Sequence, residues 1–255
     1  MQIAALYDIH GNLPALNAIL KELADIQPDL IVIGGDIVSG PMPGQTLERL
    51  RQFGNQIQAL RGNADREVVT AFDDLPLALK VPEQVREETL WIAQQLEKQQ
   101  RDFLAQLPEQ IILHIESLGD ILFCHATPHS DEEIFTPITP QARLNTIFAT
   151  IQQQIVVCGH THIQFERHVG NTRILNAGSV GMPYADSPGA YWLLLSPEGC
   201  EFRKTSYDIE VAAQQIPKSG YPHAQDFAEE NVLHVPTATE ATKIFEQIAI
   251  TSTIS

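Results

Sequence analysis

The runs IAALY at residues 3–7, LIVI at 30–33, ILFC at 121–124 and IVVC at 155–158 are apolar throughout, without the wet-and-dry alternation of a half-exposed strand. A strand that is dry on both faces must be covered on both, which selects a parallel sheet packed between other layers. The intervening segments agree. Asn12 is placed to cap a helix with Pro14 in its first turn and Leu16, Ile19, Leu20 and Leu23 at helical spacing. A second helix is expected over residues 45–53 and a short strand over 57–60, so the chain opens as a right-handed βαβαβ unit.

Each strand ends in residues that carry chemistry. Asp8 and His10 follow the first, Asp36 the second, Asn63 and Asp65 the third, His125 the run ILFC, and His160 and His162 the run IVVC. Ligands of open α/β sheets bind beyond the carboxyl ends of the strands, so these distant side chains are expected to meet along one rim. Singly, each has an ordinary role open to it: Asp8 and Asp36 as helix caps, Asn63 and Asp65 in turns, His125 as a hydrogen-bonded core group. Their recurrence at five strand ends is better explained by one shared site.

Carboxylates and neutral imidazoles are ligands for Zn2+, Mn2+ and Fe, and two aspartates, several histidines and an amide suffice for two ions sharing one bridging group. Asp36 is the natural bridge, because its carboxylate has two oxygens and the preceding Gly34 and Gly35 let the backbone approach closely. Charge points the same way. With 16 Lys plus Arg against 32 Asp plus Glu, the formal net charge is −16, so the surface repels polyanions and neither bulk nucleic acid nor an anionic membrane is an expected partner. A small phosphorylated substrate fits only where bound metal supplies local positive charge. Oligomeric state has no signature in the sequence.

A chain of 255 residues with 44% hydrophobic content can bury a one-domain core without disulfides. Cys124, Cys158 and Cys200 are odd in number and widely spaced, which fits reduced core thiols rather than a disulfide framework or a zinc knuckle. The opening MQIAALYDIH lacks a basic stretch leading into a long apolar one, and no later segment reaches the length of a membrane span, so a soluble cytoplasmic protein is expected.

The ordered segments DIHGN, GGD, GNAD, CHATP and CGHTH, with LNAGSVGMP at 175–183, resemble the calcineurin-like metallophosphoesterase superfamily over residues 2 to about 206, and in particular its small bacterial phosphodiesterase branch. The resemblance implies an α/β fold, a four-layer α-β-β-α sandwich with two mixed β-sheets. It puts Asp8, His10, Asp36 and His162 on one divalent ion and Asp36, Asn63, His125 and His160 on a second, with Mn2+ foremost and Fe, Zn, Mg, Co or Ni also suited to these ligands. The implied reaction is in-line attack on phosphorus by a hydroxide bridging the ions, with Asp36, Asn63, His125 and His160 as catalytic residues. On this reading residues 1–216 form the phosphoesterase domain, with a helical insertion at about 82–107, and QFERHV, TRILNA, AYWLLL and CEFRKTSY supply a second sheet. Residues 217–255 form a C-terminal helical extension packing on the domain, with helices at 224–231 and 239–250 and a weakly ordered end in TSTIS.

One departure bears on mechanism. Much of the family has GNH followed by an acidic residue, with that histidine beside the leaving group, whereas here the place belongs to Ala64. Loss of a general acid typically forfeits about 10² to 10⁴ in rate for a poor leaving group, so either another group protonates it, with His129 and Arg66 the candidates, or the substrate leaves easily; a phosphodiester or phosphoanhydride is expected rather than an alkyl phosphomonoester. Substrate contacts are assigned to Asn12, Asn63, Arg66 and His129. Arg66 is placed to clamp a phosphate oxygen bidentately and His129 to reach over it; Asn12 is a helix cap first and a phosphate contact second. Asp65 is placed to orient a ligand from behind or to cap the next helix. The alternatives are a phosphomonoesterase or protein serine/threonine phosphatase of the same fold, or a metallophosphoesterase-like scaffold that binds partners without turnover.

Overall fold

The computed structural model describes residues 1–78 and 81–252. Strands β1 (Ile3–Leu6), β2 (Leu30–Ile33) and β3 (Ile57–Ala59) pair in parallel, connected by α1 (Leu13–Ile26) and α2 (Pro43–Arg51). Asn12 Oδ1 accepts the Ala15 amide at 3.2 Å, and Ala15, Leu16, Ile19, Leu20 and Leu23 form the buried face of α1. Helix α3 (Asn63–Phe72) makes Asn63 its first residue, and α4 (Glu83–Gln95) and α5 (Lys98–Ala105) are the two helices of the insertion.

The second sheet contains β4 (Gln110–Ile115), β5 (Gly119–Cys124), β6 (Ile155–Cys158), β7 (Gln164–Val169) and β8 (Thr172–Ala177) in the order β4-β5-β6-β8-β7. Its three inner strands are parallel and its outer two antiparallel to their neighbours. A short helix absent from the sequence reading, α6 (Gln141–Ile147), buries Leu144 and Ile147 against it.

AYWLLL and CEFRKTSY do not join the second sheet. As β9 (Ala190–Ser196) and β10 (Gly199–Thr205) they complete the first, in the order β10-β9-β1-β2-β3, with β9 antiparallel to β1. Burial is the reason: Leu193 and Leu195 point between the sheets while Trp192 and Leu194 point to the layer of α1, and a place beside β1 covers both faces. Trp192 Nε1 donates to Thr205 Oγ1 at 2.9 Å, and that hydroxyl donates to Glu22 of α1 at 2.6 Å.

Alternation along the strands sorts their side chains into three cores. Ala4 and Leu6 of β1 pack on α1; Ile3, Ala5 and Tyr7 meet Phe123, Val157 and Leu175 between the sheets; Leu122, Cys124, Val156 and Cys158 face α6. The result is a four-layer α-β-β-α stack. Cys124 and Cys158 are buried, while Cys200 is half-buried on β10.

The C-terminal residues clasp this stack from both outer faces. Helix α7 (Ile209–Gln215), a 3-10 turn (Ile216–Ser219), α8 (Ala224–Ala228) and a π-helical turn (Glu229–Leu233) bring Ala212, Ile216, Tyr221, Phe227 and Val232 into the core of α1. Helix α9 (Ala238–Ser252) crosses to the other side and buries Ala241 with Leu122, Cys124 and Phe165. Of the TSTIS end expected to be weakly ordered, Thr251 and Ser252 belong to α9 and residues 253–255 lie outside the described residues. Among the described residues no helix is long and apolar enough to cross a membrane.

Leu193 is fully buried between the sheets, whereas Ile112 on the edge strand β4 is 55% exposed. Leu193→Ala is expected to lower the unfolding free energy by roughly 2–5 kcal/mol. Ile112→Ala is expected to change it by no more than roughly 0.5 kcal/mol, and urea denaturation followed by circular dichroism checks both.

Candidate metal centre

Two triads form where the strand ends meet: Asp8 with His10 and His162, and Asp36 with His125 and His160, each offering one ligand atom per residue within 4.8 Å of the others. The rim is not that of a single parallel sheet, as the sequence reading has it. Asp8, His10, Asp36 and Asn63 come from the first sheet, and His125, His160 and His162 from the second.

The backbone is bent to achieve this. Asp8, His10, Asp36, His160 and His162 take left-handed conformations with φ between 48° and 66°, five of the eight non-glycine residues that do so among the described residues. Such conformations cost of order 1–3 kcal/mol each and persist only where surroundings impose them. Hydrogen bonds between neighbouring loops do so here: Asp8 N–H donates to Gly35 O at 3.2 Å, His10 N–H to Asp36 O at 2.9 Å and Gly159 N–H to His125 O at 2.8 Å. Two glycines allow the packing, since a Cβ at Gly62 would lie 2.1 Å from Asp36 Oδ1 and one at Gly159 2.4 Å from Asp8 Oδ2.

Each aspartate anchors one oxygen and aims the other. Asp8 Oδ2 accepts the His160 amide at 2.9 Å. Its buried Oδ1 has no hydrogen-bond partner and lies 3.6 Å from His162 Nε2 and 3.9 Å from His125 Nε2. Asp36 Oδ1 accepts the Ala64 amide at 2.9 Å, while Oδ2 lies 3.4 Å from His125 Nε2 and 3.8 Å from His10 Nε2, facing a histidine of each triad.

The rings are locked from behind. Nδ1 of His10, His125 and His162 lies 2.9, 2.9 and 2.8 Å from the carbonyls of Ser39, Gly34 and Met182. A carbonyl can only accept, so in the neutral rings Nδ1 carries the proton and Nε2 turns a lone pair inward. His10 Nε2 and His162 Nε2 then face each other at 3.1 Å, an arrangement that needs a proton or a cation between them. Asn63 behaves alike. With its amide nitrogen inward it donates to His125 Nε2 and His160 Nδ1, each at 3.1 Å; with its oxygen inward it completes three lone pairs aimed at one point.

Burial sets the electrostatics. It pushes the Asp36 carboxyl up, but His125, His10 and His160 outweigh it and hold the group well below the usual carboxylate range; at Asp8, His162 and His125 outweigh burial in the same way. Burial also opposes charge on His125, yet Asp36 and Asp8 push its pKa up to about 10. Burial and then His125 push His160 down to about 4, and burial and His162 lower His10. His125 thus carries the positive charge that two buried carboxylates demand. A divalent cation in each triad would meet that demand in its place: the carboxylates are ionised and His10 and His160 are held neutral, the His125 proton would be displaced on binding, and the donor set fits the metal ions of this chemistry.

The remaining candidates divide. Asp65 does both things expected of it: Oδ1 accepts the amides of Ile37 at 2.9 Å and Val38 at 3.3 Å, and Oδ2 that of Gly62 at 3.1 Å, tying the Asp36 loop to the start of α3. Burial and the Asp36 charge push its pKa up to about 7. Asn12 and Arg66, the expected phosphate contacts, each have partners within the protein. Besides capping α1, Asn12 donates Nδ2 to Gly181 O at 3.0 Å, so its amide serves the fold. Arg66 spends its fork on Asp131, through Nε at 2.9 Å and Nη2 at 3.3 Å, and on Glu132. His129 lines a cavity of about 150 Å3 with Arg66, His125 and Thr127, but it is exposed, belongs to neither triad and places Nε2 3.2 Å from Thr150 Oγ1. Asn176 and Ser179 act beyond the residues that the sequence singles out. Asn176 Nδ2 donates to Gly159 O at 2.6 Å and Ser179 Oγ to Asp8 O at 2.8 Å, so they hold two ligand loops. The signal is the segment LNAGSVGMP, in which Asn176 and Ser179 follow the buried Ile174 and Leu175 at the end of β8.

The His125 proton has a measurable consequence. Its folded pKa of about 10 exceeds the unfolded value of about 6.5, so its stabilisation is complete below about pH 6.5 and is lost as pH rises to about 10. Chelator-treated protein is expected to lose melting temperature across that window, and Mn2+ or His125→Gln to flatten the slope, as followed by differential scanning fluorimetry.

Residues 1–197 match the family model of the calcineurin-like phosphoesterase superfamily domain. The chain is 25% identical over 203 residues to phosphodiesterase YfcE of Escherichia coli K12, covering 76% of this chain and 87% of that protein. It is 25% identical over 244 residues to the uncharacterized protein MJ0912 of Methanocaldococcus jannaschii, covering 86% and 93%. In fold it is similar to PH1004 of Pyrococcus horikoshii, with a TM-score of 0.78 at 18% identity, and to a metallophosphoesterase of Sphaerobacter thermophilus, with 0.72 at 24%; each alignment covers 92% of this chain and 99% of the other. The matched segment carries both triads and Asn63, and the chain belongs to the calcineurin-like phosphoesterase superfamily.

Proposed function

We propose that this chain hydrolyses small phosphodiesters or phosphoanhydrides with two divalent cations, one in each triad, bridged by Asp36. The observation that carries the reading is the position of Asp36 Oδ2, 3.4 Å from His125 Nε2 and 3.8 Å from His10 Nε2, where one buried oxygen faces both ligand sets. Membership of the superfamily already makes the chain a metal-dependent phosphoesterase; the bridging and the substrate class are the further step.

When bound, such cations polarise a phosphoryl oxygen and lower the pKa of water. The chain's own residues supply orientation. The amides of His160 and Ala64 pin Asp8 and Asp36 so that their free oxygens stay turned inward, and three backbone carbonyls fix the imidazole faces. Asn63, at the first position of α3, aims its amide at the same point as His125 and His160.

Two features favour diesters and anhydrides. Ala64 offers no proton to a departing group, so the leaving group must be stable as an anion. Arg66 is committed to Asp131 and Glu132, which suits the single charge of a diester better than the two of a monoester. The naming of the relative YfcE as a phosphodiesterase supports the same choice.

The Mn2+-loaded protein is expected to hydrolyse bis(p-nitrophenyl) phosphate, and Asp36→Asn and His160→Ala each to lower kcat/KM by about 10²-fold or more. Across a series of aryl diesters the rate is expected to fall steeply with leaving-group pKa, and Ala64→His to flatten that dependence. Fully metallated wild type without turnover on diesters, monoesters and dinucleoside polyphosphates would sink the proposal in favour of a partner-binding scaffold.

A further inference from the structure

Residues 182–184 grip His162 on three sides. Met182 O accepts from its Nδ1 at 2.8 Å, the Tyr184 amide donates to its carbonyl at 3.1 Å, and the Tyr184 ring stacks on its ring with centroids 5.4 Å apart and planes 24° from parallel. The hydrogen bond at Nδ1 sets the direction of the ring but leaves it free to tilt about that line. A flat neighbour against its face removes this freedom, and with it the swing of the inward Nε2 lone pair.

Tyr184 is in turn held by α9. Its ring meets Phe245 at 5.8 Å, and the next amide, that of Ala185, donates to Pro236 O at 3.0 Å just before the helix begins. The residue after Phe245, Glu246, accepts from Thr136 Oγ1 at 2.7 Å and from the Thr139 hydroxyl, in the loop that follows His125. One helix thus braces segments on both sides of the ligand cluster, and it lies beyond residue 197, where the family match ends.

We propose that Tyr184 is the positioning residue of His162 and that α9, through Phe245 and the Pro236 carbonyl, holds it in place, so that the C-terminal helix is a working part of the metal centre. The inference rests on the reading of Asp8, His10 and His162 as one of two cation positions. The role lies in the face of the Tyr184 ring, so its hydroxyl is dispensable.

Titration of the full chain with Mn2+, by calorimetry and by electron paramagnetic resonance of the free ion, tests this. Wild type and Tyr184→Phe are expected to bind two ions alike. Tyr184→Ala is expected to weaken one of them about 10- to 100-fold and spare the other, with Phe245→Ala weakening the same ion less. Tyr184→Leu keeps apolar bulk against Phe245 but lacks the flat face, and is expected to reproduce the one-ion loss with its melting temperature preserved; at saturating Mn2+ the kcat of these variants returns toward wild type. Two-ion binding within twofold of wild type in Tyr184→Ala, Tyr184→Leu and Phe245→Ala would overturn this inference alone. A wild type that binds no second ion would overturn both it and the two-cation reading beneath it.

Discussion

Two carboxylates held out of water set the terms for everything else at this rim. Asp8 and Asp36 are almost wholly buried, and buried charge is tolerable only when paired and hydrogen-bonded. Each carboxylate satisfies one oxygen with a backbone amide and leaves the other to side chains. The His125 proton is the response available to the amino acids themselves; divalent cations would be the stronger one, and the lone pairs of His10 and His162, meeting at 3.1 Å, mark a place that would suit one.

The fold concentrates these demands by bringing strand ends from two sheets to one seam. Tyr7, just before Asp8, crosses the seam and donates its hydroxyl to Val157 O at 3.0 Å, so the two sheets are joined within three residues of candidate ligands on both sides. Left-handed turns then point the side chains together, and Asp65, Asn176 and Ser179 hold those turns from beneath. The strain at the site is carried by an apolar stack whose three cores are continuous with the same strands.

Much of this was legible in the sequence because apolar runs and their polar endings report burial and position directly. IAALY, LIVI, ILFC and IVVC are strands, and the residues after them meet. What the pattern could not convey is partnership. AYWLLL announces two dry faces but not which sheet it enters, so β9 and β10 belong beside β1 rather than in the second sheet. Nothing in the sequence announces the ion pairs that tertiary folding gives Arg66 with Asp131 and Glu132. Helix α6 is too short for periodicity to reveal. The left-handed backbone at Asp8 and His162 has no signature of the kind glycine provides, since it is imposed by loops from elsewhere in the chain. Tyr184 was hidden for the same reason: its importance comes from facing His162, twenty-two positions earlier.

In the proposed centre Asp36 joins two cation positions. Anomalous diffraction from crystals grown with Mn2+ tests it most directly. Two peaks are expected, one among Asp8, His10 and His162 and one among Asn63, His125 and His160, with the Asp36 carboxylate touching both. A single peak, or two of which only one contacts Asp36, would contradict the account.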